Sequence, residues 1–145
     1  MKAGFLIPAL LAAIALPATA AVPTLDSVYP PGGKKGSEID FTLNGKFDPW
    51  PCSLWFSREG LTFTPDPDPK KVGSGKLTIA PDATPGPVLI RAHNAGGATA
   101  PVFFMISDQN EILEEEKDNS TVAGAVPLDR SMLPLVLNGT LSARG

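Results

Sequence analysis

The stretch Tyr29–Phe47, YPPGGKKGSEIDFTLNGKF, constrains the fold more than any other part of the chain. From Ser37 to Asn44 the apolar residues Ile39, Phe41 and Leu43 alternate with Glu38, Asp40 and Thr42. A period of two places one face on a core and the other in water, which is the pattern of a half-buried strand. Pro30-Pro31-Gly32-Gly33 before it reads as a corner, and Gly45-Lys46-Phe47 ends it. Turns of this kind on both sides of a strand predict a β-sandwich rather than an α/β enzyme fold.

The remaining segments repeat that texture. Thr24–Val28 alternates weakly and stops at two prolines, as an edge strand does. Ser53–Ser57 (SLWFS) and Leu61–Thr64 (LTFT) flank Glu59-Gly60 and are expected to pair as a hairpin. Pro65-Asp66-Pro67-Asp68-Pro69-Lys70-Lys71 is expected to be a stiff, extended surface loop, because alternate prolines remove ladder donors. Gly75–Ala80 is predicted as a strand with Leu77 and Ile79 inward, and Pro87–His93 as a central strand with Val88, Ile90 and Ala92 on one face. Asn94-Ala95-Gly96-Gly97 is a hairpin turn, and Thr99–Ser107 closes the sheet, Val102, Phe104 and Ile106 opposing Phe103 and Met105. The fold class is therefore all-β: an antiparallel sandwich of about seven strands. The 16 prolines and 14 glycines agree, since both residues interrupt helices.

The chain opens with Lys2, runs apolar from Phe5 to Leu16 and ends that run with Pro17-Ala18-Thr19-Ala20-Ala21. A basic start, a short apolar middle and a small-x-small site describe a secretory signal helix over residues 1–20, cleaved after Ala20. The apolar run falls short of the roughly 20 residues that span a bilayer, so contact with a membrane is expected only during export. The product is then secreted or held at the cell surface, in a periplasmic or extracellular setting. Cys52 is the one cysteine, which leaves no internal disulfide for an exported domain.

Charge is divided unevenly. Residues 21–107 hold eight basic and eight acidic side chains, whereas Asp108–Asp118 holds six acids against Lys117, marking 108–120 as an acidic linker. A neutral domain beside an acidic run is not a nucleic-acid binder, which would carry a basic face.

Pro30-Pro31-Gly32-Gly33, Gly36-Ser37, Gly45-Lys46-Phe47, Pro85-Gly86 and the Gly96-Gly97 turn, in that order, resemble an IPT/TIG domain over about 22–107. The resemblance implies an immunoglobulin-like (Ig-like) module without catalytic activity, found in exported and cell-surface proteins and as a spacer beside enzymes. Residues 21–107 are assigned to it. Past the linker, Glu114, Glu116, Asn119 and Ser120, followed by Leu133-Pro134…Gly139, resemble the start of a bacterial pre-peptidase C-terminal (PPC) domain. Lys117 and Asp118 depart from that family's Pro-Asn. Residues 121–145 are too few to form a core alone, since chains below about 40 residues rarely do, so they are expected to be an incomplete β segment of a longer protein.

Candidate chemistry is sparse. Asp66/Asp68 and Glu114/Glu116 are paired carboxylates on exposed loops, without the cleft that acid–base work needs. No cofactor is expected apart from calcium at the acidic linker, whose carboxylates supply hard oxygen ligands. His93 is the one histidine and has no local partner in Cys52, which is expected to be a buried apolar residue. No Gly-x-Ser-x-Gly is present, and Gly32-Gly33 and Gly73-x-Gly75 precede no helix that could cradle a phosphate. Trp50, Trp55 and Phe56 are candidate stacking residues for a sugar ring, with one of Trp55 and Phe56 facing outward because neighbours in a strand alternate.

Three functions fit. The leading one is a non-catalytic spacer or adhesion module in a larger secreted or cell-surface protein, with other domains, extracellular proteins or polysaccharides as partners. The others are an accessory domain of a secreted peptidase or other hydrolase whose catalytic part lies elsewhere, and a carbohydrate-binding module.

Overall fold

The computed structural model describes residues 20–114 and 121–139. Residues 1–19 of the expected signal helix and residues 115–120 of the acidic linker, Glu116 included, lie outside the described residues. Among the described residues no helix is long and apolar enough to cross a membrane; the helical elements are single 3-10 turns at Val122–Gly124 and Arg130–Met132.

Two sheets carry the fold. β1 (Thr24–Tyr29), β3 (Glu38–Lys46), β6 (Ser74–Ile79) and β5 (Leu61–Pro65) form a four-stranded antiparallel sheet in the order β1-β3-β6-β5. The second sheet runs β2 (Gly32–Lys34), β9 (Val102–Ser107), β7 (Gly86–Asn94), β4 (Ser53–Phe56), with β8 (Gly97–Ala98) attached to β7. All pairings within these sheets are antiparallel except β2 with β9. Four strands facing a sheet whose first short strand branches from β1 is the Ig-like sandwich that the alternation predicts.

The alternation decides which side chains enter the interior. Phe41 and Leu43 of β3, Leu77 and Ile79 of β6, Val88, Ile90 and Ala92 of β7, and Phe104 and Ile106 of β9 are all buried. Phe41 sits at the centre and meets Phe104 of the other sheet edge-on, their ring centroids 5.6 Å apart. It also meets Phe63 of its own sheet at 6.1 Å. Gly75 is directly opposite Phe41 in the register, and a Cβ there would lie 2.6 Å from the Phe63 ring. The missing side chain is what lets the two rings approach.

Three expectations change. First, β4 and β5 do not form a hairpin: β4 pairs with β7 and β5 with β6, in different sheets. Leu54, Phe56, Leu61 and Phe63 all pack against the core, and the Ser57–Gly60 turn carries the chain across the sandwich. Burial from both layers outweighs the short sequence distance that favours a hairpin. The gap between these two edge strands is an open, mostly apolar cleft of about 450 Å³.

Second, the Pro-Pro-Gly-Gly corner also supplies a strand. The chain leaves the first sheet at Tyr29, buries Pro30, and runs Gly32–Lys34 alongside β9 of the second sheet. Thr99–Ser107 is consequently not at the sheet edge, and it is interrupted: β8 precedes, and Thr99 turns its hydroxyl to the N–H of Ala92.

Third, Pro65 ends β5, and Asp66–Lys71 folds into hydrogen-bonded turns rather than an extended loop. Asp66 Oδ1 accepts the N–H of Asp68, Asp68 Oδ1 accepts that of Lys70, and Lys71 donates its N–H to the Asp68 carbonyl. Aspartate side chains thus stand in for backbone acceptors at positions where the prolines have removed donors.

Beyond the sandwich, β10 (Asn110–Leu113) pairs in parallel with β11 (Leu135–Asn138). Four residues assigned by charge to the linker are therefore strand. Lys34 Nζ reaches Asn110 Oδ1 at 2.8 Å and ties β10 to the end of β2.

Candidate interaction surface

The two outer faces of the sandwich differ in chemistry. On the four-stranded sheet the outward positions are polar throughout, among them Asp26, Glu38, Asp40, Thr42, Lys76 and Thr78. They engage one another across strands: Lys76 Nζ lies 2.7 Å from Asp40 Oδ1, and Thr78 Oγ1 donates to Glu38 Oε2 at 3.3 Å.

The outward face of the other sheet carries an apolar patch. β4 presents Trp55, β7 presents Leu89 and β9 presents Phe103 and Met105. Phe103 is 72% exposed, Met105 49% and Trp55 48%. Register brings them together: Leu89 lies directly opposite Phe103, Pro87 opposite Met105, and Trp55 opposite Arg91 on β7. Arg91 points its guanidinium away to the Thr99 carbonyl at 2.9 Å, at one end of the patch. Soluble domains seldom leave neighbouring large apolar side chains open to water unless something docks on them.

The residues singled out in the sequence are dispersed. Trp55 faces outward and Phe56 inward, as alternation requires. Trp50 is half-buried and packs on Phe47 at 5.7 Å and Phe63 at 6.4 Å, with its indole Nε1 buried and lacking a hydrogen-bond partner. Of the three aromatic candidates, only Trp55 presents an open ring face. Cys52 is buried, and burial pushes its thiol above the ordinary value, against a smaller opposing effect of its backbone hydrogen bond. His93 is opposite Ser53, one residue from Cys52 in register, yet it is exposed on the outer face while Cys52 points inward. The sheet separates them.

Asp66 and Asp68 belong to the turn described above. The N–H of Asp68, and then the Lys71 ammonium 3.0 Å away, hold the Asp66 carboxyl below its usual range, and the Asp66 carboxylate in turn holds Lys71 above its own. These ion pairs rim a shallow groove of about 450 Å³ with Asp40 and Lys76. Among the described residues no three His, Cys, Asp or Glu side chains lie close enough to hold a metal. Glu111 is, among the described residues, the acid bearing a buried carboxylate oxygen without a partner. Its other oxygen accepts from Asn138 Nδ2 at 2.9 Å, and burial raises its pKa against the opposing bonds from Asn138 and Ser107.

Phe103, Met105 and Leu89 are surface residues that the sequence places on a strand face without marking them as a candidate site. The signal was present: β7 and β9 are apolar at consecutive positions, whereas β3, β5 and β6 alternate strictly.

No protein-family model matches the chain, and no curated protein does. Solved structures resemble it weakly. A gamma-CGTase from Alkalophilic bacillus clarkii aligns at 19% identity and a TM-score of 0.44, over 66% of this chain and 14% of that one. A chimeric titin Z1Z2 tandem aligns at 18% identity and 0.38, over 61% of this chain and 50% of the other. A complex of titin and obscurin-like Ig domains aligns at 18% and 0.34, over 60% and 87% respectively. The chain thus spans half or less of the length of the first two.

Proposed function

We propose that this chain is a non-catalytic, exported module whose Ig-like domain, of IPT/TIG type, serves as a spacer and adhesive surface in a larger secreted or cell-surface protein. The segment after residue 107 is read as the opening of a PPC-type domain, through which the module would join its neighbours. The observation that carries the reading is the contrast between the outer faces. One is polar and internally paired; the other holds Trp55, Phe103 and Met105 open to water around a half-buried Leu89. An apolar sheet face of this kind gains free energy only when a partner covers it.

The test is solid-phase binding of the purified chain to the envelope fraction and extracellular matrix of its producing cell, with Phe103→Glu as the paired variant. Retention of the parent and loss of at least tenfold in the variant are expected, because a buried unpaired carboxylate opposes docking. Equal retention of both, or turnover of a peptide or glycan by the purified chain, would defeat the reading. Carbohydrate binding is the second reading, supported by the open ring of Trp55. A polysaccharide pull-down lost in Trp55→Ala and kept in Phe103→Glu would favour it.

A further inference from the structure

The edges of the two main sheets are protected unequally. β1 carries a bulge between Leu25 and Ser27 with Asp26 in it, β2 follows Pro30 and Pro31 and ends in Lys34, and β5 ends in Pro65. Bulges, prolines and charges are the usual means of keeping an edge from pairing with another chain. Within β4, Ser53-Leu54-Trp55-Phe56, there is none of the three, the nearest being Pro51 and Arg58 two residues outside it, and among the described residues it pairs with β7 alone.

The hydrogen-bond phase of β4 identifies which groups it offers. Ser57 donates its N–H to the Leu89 carbonyl at 2.9 Å, and in the same register Trp55 lies opposite Arg91 and Ser53 opposite His93. Hydrogen-bonded and non-hydrogen-bonded pairs alternate along an antiparallel ladder. Ser53, Trp55 and Ser57 therefore turn their backbone groups toward β7, and the N–H and C=O of Leu54 and Phe56 point to the free edge.

We propose that the free edge of β4 pairs with the same edge of a second copy of this chain, antiparallel, with Trp55 facing Trp55 of that copy across a two-fold axis. Directly opposite residues in an antiparallel pair point to the same face, so a two-fold axis must pass through a residue paired with itself. With Trp55 at the axis, Leu54 of each copy exchanges hydrogen bonds with Phe56 of the other, which uses the groups the edge leaves free. Trp55 then occupies a non-hydrogen-bonded pair, where side chains approach most closely and aromatic pairs are favourable. An axis through Leu54 would instead draw on Cys52, which lies outside the strand.

The charges permit this arrangement. β4 has no ionisable side chain, and in the same register Arg58 and Glu59 fall opposite Cys52 and Pro51 of the second copy. The two Arg91 side chains would stand three strand spacings apart, roughly 14 Å. That exceeds the ~10 Å over which exposed charges interact at moderate salt. A second copy is thus the occupant that the edge fits by itself, without a strand from another protein.

Sedimentation equilibrium on the whole chain, from micromolar to near-millimolar concentration, should show a monomer passing to a dimer. Trp55→Lys places like charges at the axis and should weaken association by at least about tenfold. Trp55 is a surface residue, so circular dichroism and thermal melting should report the variant as folded. In a Cys52→Ser background, Trp55→Cys should form a disulfide-linked dimer under mild oxidation, whereas Ser53→Cys, displaced from its own twin, should not. A parent chain that stays monomeric throughout overturns the proposal. So does a Trp55→Lys variant that associates like the parent, or a Ser53→Cys variant that links as fast as Trp55→Cys.

Discussion

Phe41→Ala tests the sandwich at its centre. Phe41 is 1% exposed and touches both layers, Phe63 in its own sheet and Phe104 across the interior. Truncating a fully buried phenylalanine costs about 3–5 kcal/mol, from lost transfer free energy and the cavity left behind. Relief by collapse is limited here, because the neighbouring Leu77, Ile79 and Phe104 are themselves fully buried and held by two ladders. The upper half of that range is therefore expected. For a domain of this size each kcal/mol lowers the melting temperature by about 4–8 °C, so a fall of at least about 15 °C should be seen. Urea denaturation followed by tryptophan fluorescence gives the free energy directly. A cycle with Phe104→Leu and Phe41→Leu should return a coupling of about 0.5–1.5 kcal/mol for the edge-on pair. A loss below about 1 kcal/mol for Phe41→Ala, with no coupling to Phe104, would mean that the two sheets do not close on Phe41.

Three further outcomes follow from single residues. Gly33→Ala should cost about 1–3 kcal/mol by overpacking, since its Cβ would lie 2.5 Å from Ile79 Cδ1 and 3.2 Å from Phe104 Cζ, read as a fall in the urea midpoint. Cys52 should react with a thiol-specific reagent far more slowly in the folded chain than in denaturant, because burial keeps the thiol protonated and covered; comparable rates would contradict its placement. Glu111 has a folded pKa above its ordinary value, so the folded state holds its proton more tightly than the unfolded chain does. The β10–β11 pairing should therefore be firmest below the ordinary glutamate range and weaken as pH rises through the raised value. The protection factor of the Glu114 amide, whose N–H bonds the Asn138 carbonyl at 2.8 Å, should fall over that interval in the parent and stay level in Glu111→Gln, once the intrinsic rise of exchange with pH is divided out.

Much of the fold could be read from alternation. A period of two gives Ile39, Phe41 and Leu43, and Leu77 and Ile79, inward positions and gives Val88, Ile90 and Ala92 a common face, and all of them line or adjoin the core. The period carries this information because strand geometry sends successive side chains to opposite faces, whatever the partner strand is. The same rule placed one of Trp55 and Phe56 outside. It could not say which, because that depends on where the second sheet lies.

Pairing was a different matter. Ser53–Phe56 and Leu61–Pro65 are neighbours in sequence and belong to opposite sheets; Gly32–Lys34 is a corner by composition and a strand by virtue of β9 alongside it. Such choices are made by contacts far apart in the chain, which no local window contains. The apolar outer face has the same origin. Phe103, Met105, Leu89 and Trp55 are scattered over three strands, and only the register of β4, β7 and β9 gathers them on one surface. The order of residues by itself determined which side of each strand is greasy. The tertiary structure decided which greasy sides are covered, because burial depends on what the rest of the chain brings opposite them.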